Sequence, residues 1–84
     1  ALMDAGVAAG LPRPAVEQMV AQLLVGSSKL LAERGDPASL RAMVTSPGGT
    51  TAAGVSVLED RAVRAALIGA VQAATDRSRE LGQN

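Results

Sequence analysis

An all-α fold of about five helices is predicted from three features of this 84-residue sequence. Apolar residues recur every three to four positions along most of the chain, which is the spacing of one helix face. Helix-stopping glycines and prolines lie between the periodic segments, at positions 10–14, 35–37 and 47–49. No segment shows the alternation of apolar and polar residues that is typical of a strand. We therefore expect one helical domain that spans residues 1–84.

The first two helices are bounded by glycine and proline. The first is expected over Leu2–Ala9, and Gly10 can end it by adopting the left-handed conformation. The second opens at Pro12 and Pro14, because the first amides of a helix lack a partner in any case, and it ends at Gly35. Its apolar face is expected to consist of Val16, Met19, Val20, Leu23, Leu24, Ser27, Leu30 and Leu31.

Three further helices are expected in the second half of the chain. Asp36 is an N-cap residue followed by proline, which predicts a short third helix over residues 37–44. The fourth helix can start at Thr51, and Asp60 offers a cap or kink before a fifth helix over residues 61–81. The inward-facing positions of the last two helices are expected to be Val55, Leu58, Val63, Leu67, Ala70, Val71, Ala74, Ser78 and Leu81.

The composition argues against several classes of function. Eight Lys and Arg balance eight Asp and Glu, and the chain has no aromatic residue, so neither a basic surface nor a stacking platform for nucleic acid is expected. Without Cys or His the chain lacks thiolate nucleophiles and the commonest metal ligand, and we expect no metal site. No apolar stretch approaches the length of a membrane span. The absence of Cys and of a secretion signal favours a cytoplasmic protein.

The small number of large apolar side chains predicts that the chain associates with another protein surface. Of its 40 apolar residues, 17 are Ala and none is aromatic, which leaves 23 Val, Leu, Ile and Met for a core. The fifth helix also has a shallow face of small residues, where another helix can approach closely. This face is either an intramolecular packing surface or the seam of a dimer, and the small core favours the seam. It consists of Ala65, Ala66, Gly69, Ala70, Ala73 and Ala74.

The loop over residues 46–51 is the main candidate for a binding site. It joins two flexible glycines to the start of a helix, where the N–H groups of Gly49, Thr50 and Thr51 converge with the positive end of the helix dipole. The hydroxyl of Ser46 adds another donor. A small carboxylate fits this arrangement better than a nucleotide phosphate, because the phosphate-loop pattern requires Lys where this chain has Thr50. The alternative is that the loop only connects two helices, with a Thr as N-cap.

Two other features of the sequence are weaker candidates for chemistry. Glu59 and Asp60 are adjacent carboxylates, but neighbours on a helix point about 100° apart, so a polar helix junction is the simpler interpretation. Lys29 is best interpreted as the solvated partner of Glu33 at i,i+4 rather than as a reactive amine.

The loop also carries a family resemblance. Residues 44–51 read VTSPGGTT, and AGV at 53–55 and LE at 58–59 follow. This pattern resembles the signature of pyrroline-5-carboxylate reductases. The likeness covers nearly the whole chain, since further matches occur as DAGV at 4–7, GLPR at 10–13, LR at 40–41 and AATDRS at 73–78.

The resemblance implies a specific enzyme. These enzymes reduce 1-pyrroline-5-carboxylate to L-proline, the last step of proline biosynthesis, with NADPH or NADH as coenzyme. They combine an N-terminal dinucleotide-binding domain with a C-terminal helical domain that interleaves with a second copy in a homodimer or larger homo-oligomer. The chain resembles only the C-terminal dimerisation and substrate-binding domain, with the N-terminal domain absent. By this resemblance the 84 residues bind no coenzyme and are inactive alone.

Residue roles follow from the resemblance position by position. The hydroxyl of Ser46 resembles a ligand of the substrate carboxylate, and the hydroxyl of Thr51 resembles the catalytic group that faces the ring nitrogen. The rest of the carboxylate site is then formed by the backbone at Gly48, Gly49, Thr50 and Thr51. The alternative function, from a different class, is a non-catalytic helical dimerisation module in which the segment from Ser46 to Thr51 is a connector only.

The chain also departs from the family pattern. Residue 42 is Ala where the family often has Asp, and residues 61–63 read RAV in place of a common Gly-Gly-aromatic bend. The second change predicts that the fourth and fifth helices run more continuously than in the family.

Overall fold

The computed structural model describes residues 1–83, and it contains five α-helices and no strand within that range. The predicted all-α fold is therefore confirmed. Each helix boundary lies within two residues of its predicted position. The helices are α1 (Leu2–Ala8), α2 (Arg13–Arg34), α3 (Pro37–Val44), α4 (Thr50–Asp60) and α5 (Val63–Gly82). By its internal contacts the chain divides into two compact units, with the boundary between Ala42 and Met43, near the end of α3.

In the first unit, α1 packs on α2 through a glycine. A β-carbon placed on Gly6 would lie 2.8 Å from Cγ1 and 3.0 Å from Cγ2 of Val16. Val16 is 1% exposed, and it is the only fully buried hydrophobic side chain among residues 1–83. An ion pair of 3.0 Å between Arg13 and Asp4 joins the start of α2 to α1. The contact depends on glycine, because any larger residue at position 6 would separate the two helices.

Glycines end the first two helices as predicted. Gly10 has φ +106° and Gly35 has φ +73°, both in the region that L-amino acids with a side chain avoid. The amide of Gly35 donates to the carbonyl of Leu31 at 2.7 Å, which satisfies one of the last carbonyls of α2. At the other end, Pro14 lies in the first turn of α2, where no amide donor is required.

Asp36 caps α3 as expected. Its Oδ1 accepts from the amide of Ala38 at 3.1 Å, and its Oδ2 accepts from the hydroxyl of Ser39 at 2.6 Å. The hydrogen bond from the Ser39 side chain is the main reason that the pKa of Asp36 lies below its ordinary value of 3.8, and the backbone bonds from Ser39 and Ala38 act in the same direction. The ionised carboxylate is thus the form that supports the helix start.

In the second unit, α4 and α5 are separated by a sharp bend. The expectation of more continuous helices is wrong, as is the predicted start of α5 at Arg61, since α4 ends at Asp60 and α5 begins at Val63. Asp60 is the last residue of α4 and does not cap α5. Ala62 adopts φ 57° and ψ 42°, the left-handed conformation, which interrupts the helical path of the backbone between α4 and α5. The conformation costs about 1–2 kcal/mol for a residue with a β-carbon.

The apolar stripes predicted to be buried are largely exposed in the single chain. Leu67 is 64% exposed and Val71 is 68% exposed, and neighbouring Ile68 is 71% exposed. On α2, Met19 and Leu23 are also among the exposed large hydrophobic residues. The prediction that these faces are buried is therefore wrong for the single chain, because helix pairs this small offer no surface that covers them.

Candidate functional site

The loop before α4 is a type II β-turn. The amide of Gly49 donates to the carbonyl of Ser46 at 3.1 Å, which closes a four-residue turn with Pro47 and Gly48 at its centre. Gly48 has φ +72°, as the third residue of a type II turn requires, and Pro47 occupies the position that favours proline. No atom outside the neighbouring residues lies within 4 Å of a β-carbon built on Gly48. Glycine is needed there for its backbone conformation and not for space.

At position 49, by contrast, glycine is required because there is no room for a β-carbon. Its φ of −81° and ψ of 177° are open to any residue. A β-carbon on Gly49 would nevertheless lie 2.6 Å from the Oγ of Ser46 and 3.2 Å from its carbonyl oxygen. The Ser46 hydroxyl therefore lies against the backbone of Gly49, directly at the start of α4. Both glycines therefore position Ser46. Gly48 does so through the turn, and Gly49 does so by leaving room for the serine hydroxyl.

The start of α4 presents free backbone donors. Gly49 is the N-cap and has no side chain to cap the helix, and the first helical hydrogen bond runs from the amide of Ala53 to the carbonyl of Gly49 at 3.1 Å. The amides of Thr50, Thr51 and Ala52 belong to the first turn, so they have no acceptor within their own helix. Thr50 and Thr51 are exposed. An anion at this point meets aligned N–H groups and the positive end of the helix dipole.

The structure brings the predicted site residues together, with corrections to the details. Ser46, Gly48, Gly49, Thr50 and Thr51 all lie in the turn and in the first turn of α4. The amide of Gly49 is not free as expected, because it closes the β-turn on the carbonyl of Ser46. The expected Thr N-cap is also wrong, since Gly49 holds that position.

The helix boundary decides which amides are available. The helix starts one residue earlier than the predicted Thr51, so the third free donor is the amide of Ala52. Ala52 was not among the predicted site residues, and it follows only once Gly49 is recognised as the N-cap.

The weaker candidates form no site. The carboxylate of Glu59 accepts from the Nε of Arg64 at 2.9 Å, which agrees with a polar helix junction. No group of three or more acidic side chains that could hold a metal ion occurs among residues 1–83. Over the same residues, no helix combines the length and apolar character needed to cross a bilayer.

An open cavity of about 380 Å³ lies in the first unit, between α1 and α2. Its lining is almost entirely apolar and offers no set of converging donors, so it does not suit a carboxylate. The lining residues are Leu2, Gly6, Leu11, Val16, Met19, Val20 and Leu23.

Comparison with known proteins assigns the chain to a family. The family model described as pyrroline-5-carboxylate reductase dimerisation matches residues 1–81. The chain belongs to this family. The family assignment that the loop pattern predicted is therefore confirmed.

Relatives in the pyrroline-5-carboxylate reductase family align along the whole chain. A pyrroline-5-carboxylate reductase from Synechocystis is 50% identical over 99% of the chain and 32% of its own length. Proteins of the same name from Arabidopsis thaliana and Thermus thermophilus are each 49% identical over 100% of the chain, and over 31% and 32% of their own lengths. The chain thus spans about a third of the length of these relatives, and it matches their C-terminal part.

Proposed function

We propose that this chain is the C-terminal dimerisation and substrate-binding domain of an enzyme that reduces 1-pyrroline-5-carboxylate to L-proline with NADPH or NADH. The proposal is supported by the turn from Ser46 to Gly49, which sets the Ser46 hydroxyl against Gly49, the N-cap residue of α4. The family and the names of the relatives support this choice of reaction. We place the enzyme in the cytoplasm, in line with the absence of cysteine.

The substrate carboxylate would bind at the start of α4. Its oxygens would accept hydrogen bonds from the amides of Thr50, Thr51 and Ala52 and from the hydroxyl of Ser46. Hydrogen bonds to an ionised group are worth about 1.5–3 kcal/mol each, and the helix dipole adds to them. Because the donors are fixed by backbone geometry, the carboxylate would also fix the orientation of the ring.

Thr51 would act at the other end of the same substrate. Its backbone amide faces the carboxylate, and its hydroxyl would donate a hydrogen bond to the ring nitrogen, where the imine becomes an amine. In this role Thr51 links the binding of the acid group to the position of the C=N bond. The coenzyme supplies the hydride, so the tasks of the protein are positioning and charge stabilisation.

The coenzyme does not fit the residues of this chain. Residues 1–83 form helices joined by short turns, with no strand that could lead into a glycine-rich dinucleotide-binding turn. We therefore propose that NADPH or NADH binds to residues outside these 84, and that the chain alone transfers no hydride.

A second copy of the chain would cover the exposed apolar faces. Three large apolar residues of α5, Leu67, Ile68 and Val71, are all more than 60% exposed, and Met19, Leu23 and Leu24 of α2 are more than half exposed. Exposed apolar surface of this extent is typical of a protein interface. We propose that two copies intertwine through α2 and α5, as the dimerisation family implies.

Variants at Thr51 test the catalytic role in the complete enzyme. Thr51→Val keeps the shape of the side chain and the backbone amide but removes the hydroxyl. We therefore expect a lower kcat/KM, which corresponds to a loss of about 1–3 kcal/mol of transition-state stabilisation. Thr51→Ser keeps the hydroxyl and should retain most of the activity. Equal activity of the Val variant and the unmodified enzyme would overturn the assignment.

Ligand titration separates the proposed site from a mere connector. L-proline added to the complete protein should shift the amide resonances of Ser46–Thr51, whereas a connector in a non-catalytic dimerisation module would leave them unchanged. Inorganic phosphate serves as the control anion. If phosphate outcompetes proline at the same amides, the loop is a phosphate site and the carboxylate assignment is wrong.

A further inference from the structure

The bend between α4 and α5 is built from residues that favour a helix. No glycine or proline occurs from Val55 to Ile68, and the bend itself falls at Arg61 and Ala62, both good helix formers. Ala62 is nevertheless left-handed, and it is the only residue other than glycine with positive φ among residues 1–83. The local sequence and the observed conformation therefore disagree at this point.

Helical hydrogen bonds are given up at the bend. The amide of Arg61 still bonds to the carbonyl of Val57 at 3.0 Å, but that of Ala62 bonds to Glu59, three residues back, at 3.1 Å. The next helical bond runs from Ala66 to Ala62 at 3.0 Å. The amides of residues 63–65 between them are first-turn amides of α5 without an acceptor in their own helix. A continuous helix from α4 to α5 would give all three of them a partner.

An ion pair distinguishes the bent form from a continuous helix. Arg64 and Glu59 are five residues apart, and their side chains meet at 2.9 Å across the bend. In a continuous helix, residues five apart point about 140° away from each other and do not face one another. Arg64 would instead face Asp60, four residues earlier, with the acid on the N-terminal side as helix pairs prefer. In the bent form Asp60 makes no ion pair within residues 1–83.

We propose that residues 59–64 are a two-state joint, in which Arg64 pairs with Glu59 when the joint is bent and with Asp60 when α4 and α5 form one helix. The bent state keeps the contacts between α4 and α5. The continuous state removes the left-handed alanine and restores three hydrogen bonds. The joint therefore sets the direction of α4 relative to α5, and with it the direction of the turn at its N-terminus. This proposal does not depend on the reaction proposed above.

Distance measurement by spin labelling tests the joint. The chain has no Cys, so cysteines introduced at exposed Ser56 and Gln72 are the only labelling sites in the chain. Labelled protein is diluted with an excess of unlabelled protein, so that distances within one chain dominate. In a continuous helix the two backbone positions are about 24 Å apart, and in the bent form they are closer. We expect both distances to be present.

Matched variants should move the two populations in opposite directions. Asp60→Asn should raise the share of the short distance, and Glu59→Gln should raise the share of the long distance, each by about two- to fivefold in the population ratio, the range of an exposed ion pair. Ala62→Gly should favour the bent form, and Ala62→Val should favour the continuous form. In an Arg64→Gln background the effect of Asp60→Asn should disappear.

Two results would overturn the proposal. One is a single distance that stays the same in the Asp60, Glu59 and Ala62 variants, which would show one fixed conformation. The other is a shift with Asp60→Asn that persists at full size in the Arg64→Gln background, which would show that Arg64 does not pair with Asp60 in the continuous form.

Discussion

The α-carbon of Gly6 and the side chain of Val16 are so close that a β-carbon on Gly6 would lie 2.8 Å from Val16 Cγ1. This is a distance that real β-carbons essentially never show, so one of the two helices would have to move. Val16 is stiff because it is branched at its β-carbon. The contact is the centre of the first unit, since Val16 is its only fully buried hydrophobic residue among those described.

Gly6→Ala should destabilise the protein through this contact. Overpacking of this kind lowers the free energy of unfolding by about 1–3 kcal/mol, and the better helix propensity of alanine offsets about 1 kcal/mol of this loss. The net loss should therefore be at most about 2 kcal/mol in the free energy of unfolding, measured in urea at fixed protein concentration. In a Val16→Ala background the same substitution should be neutral or stabilising. An equal loss in both backgrounds would show that Val16 is not the cause.

Ala62→Gly should stabilise the protein. Glycine removes the cost of about 1–2 kcal/mol that the left-handed conformation imposes on alanine, but it also makes the unfolded chain more flexible by about 0.4–1 kcal/mol. The expected net gain is about 0.5–1 kcal/mol in thermal or urea unfolding. Ala73→Gly, within regular α5, is the matched control and should lose about 1 kcal/mol. A loss at both positions would contradict the left-handed assignment of Ala62.

Gly49→Ala should weaken substrate binding through Ser46. Its backbone conformation accepts alanine, so the main effect is to push the Ser46 hydroxyl away from the start of α4. Loss of one hydrogen bond to a carboxylate corresponds to about a ten- to hundredfold drop in kcat/KM. Ser46→Ala should show a drop of similar size. The double variant should be no worse than Ser46→Ala, and additive losses would argue against a shared cause.

The cap of α3 should depend on pH through Asp36. Because the pKa of Asp36 in the folded protein is below its ordinary value of 3.8, its ionised form stabilises the folded state. This contribution is complete above the unfolded pKa and is lost as the pH falls through the lower folded value. Asp36→Asn should therefore be less stable than the unmodified protein at neutral pH, with a difference that shrinks below about pH 4. A difference that is constant down to pH 2 would exclude the carboxylate as its source.

The helix positions followed from local signals that need no tertiary structure. Gly10 takes the positive φ value that was predicted for it, Gly35 ends α2 as expected, and Asp36 caps α3 as its neighbour Pro37 indicates. The turn residues of the site were predictable for the same reason. The start of α4 at Thr50 was missed, since a Gly N-cap has no side chain that marks the boundary.

The bend at Ala62 could not be predicted from its neighbours. Arg61, Ala62 and Val63 carry no signal for a left-handed residue, and the sequence favoured more continuous helices. The predicted cap at Asp60 was wrong for the same reason. The helix α4 includes Asp60, and the left-handed residue follows two positions later, at Ala62. The bent form brings α4 and α5 into contact, and no residue at the bend signals such a contact between helices.

The sequence by itself determined the helical class, each helix boundary to within two residues, the family and the residues of the loop, because each depends on spacing or on the backbone limits of glycine and proline. Only the tertiary structure decided which amides at the start of α4 are free, how closely Ser46 Oγ lies to Gly49, and where α4 turns into α5. These features depend on which groups meet in space, and hydrogen bonding and close packing at such points can outweigh a local preference worth about 1 kcal/mol.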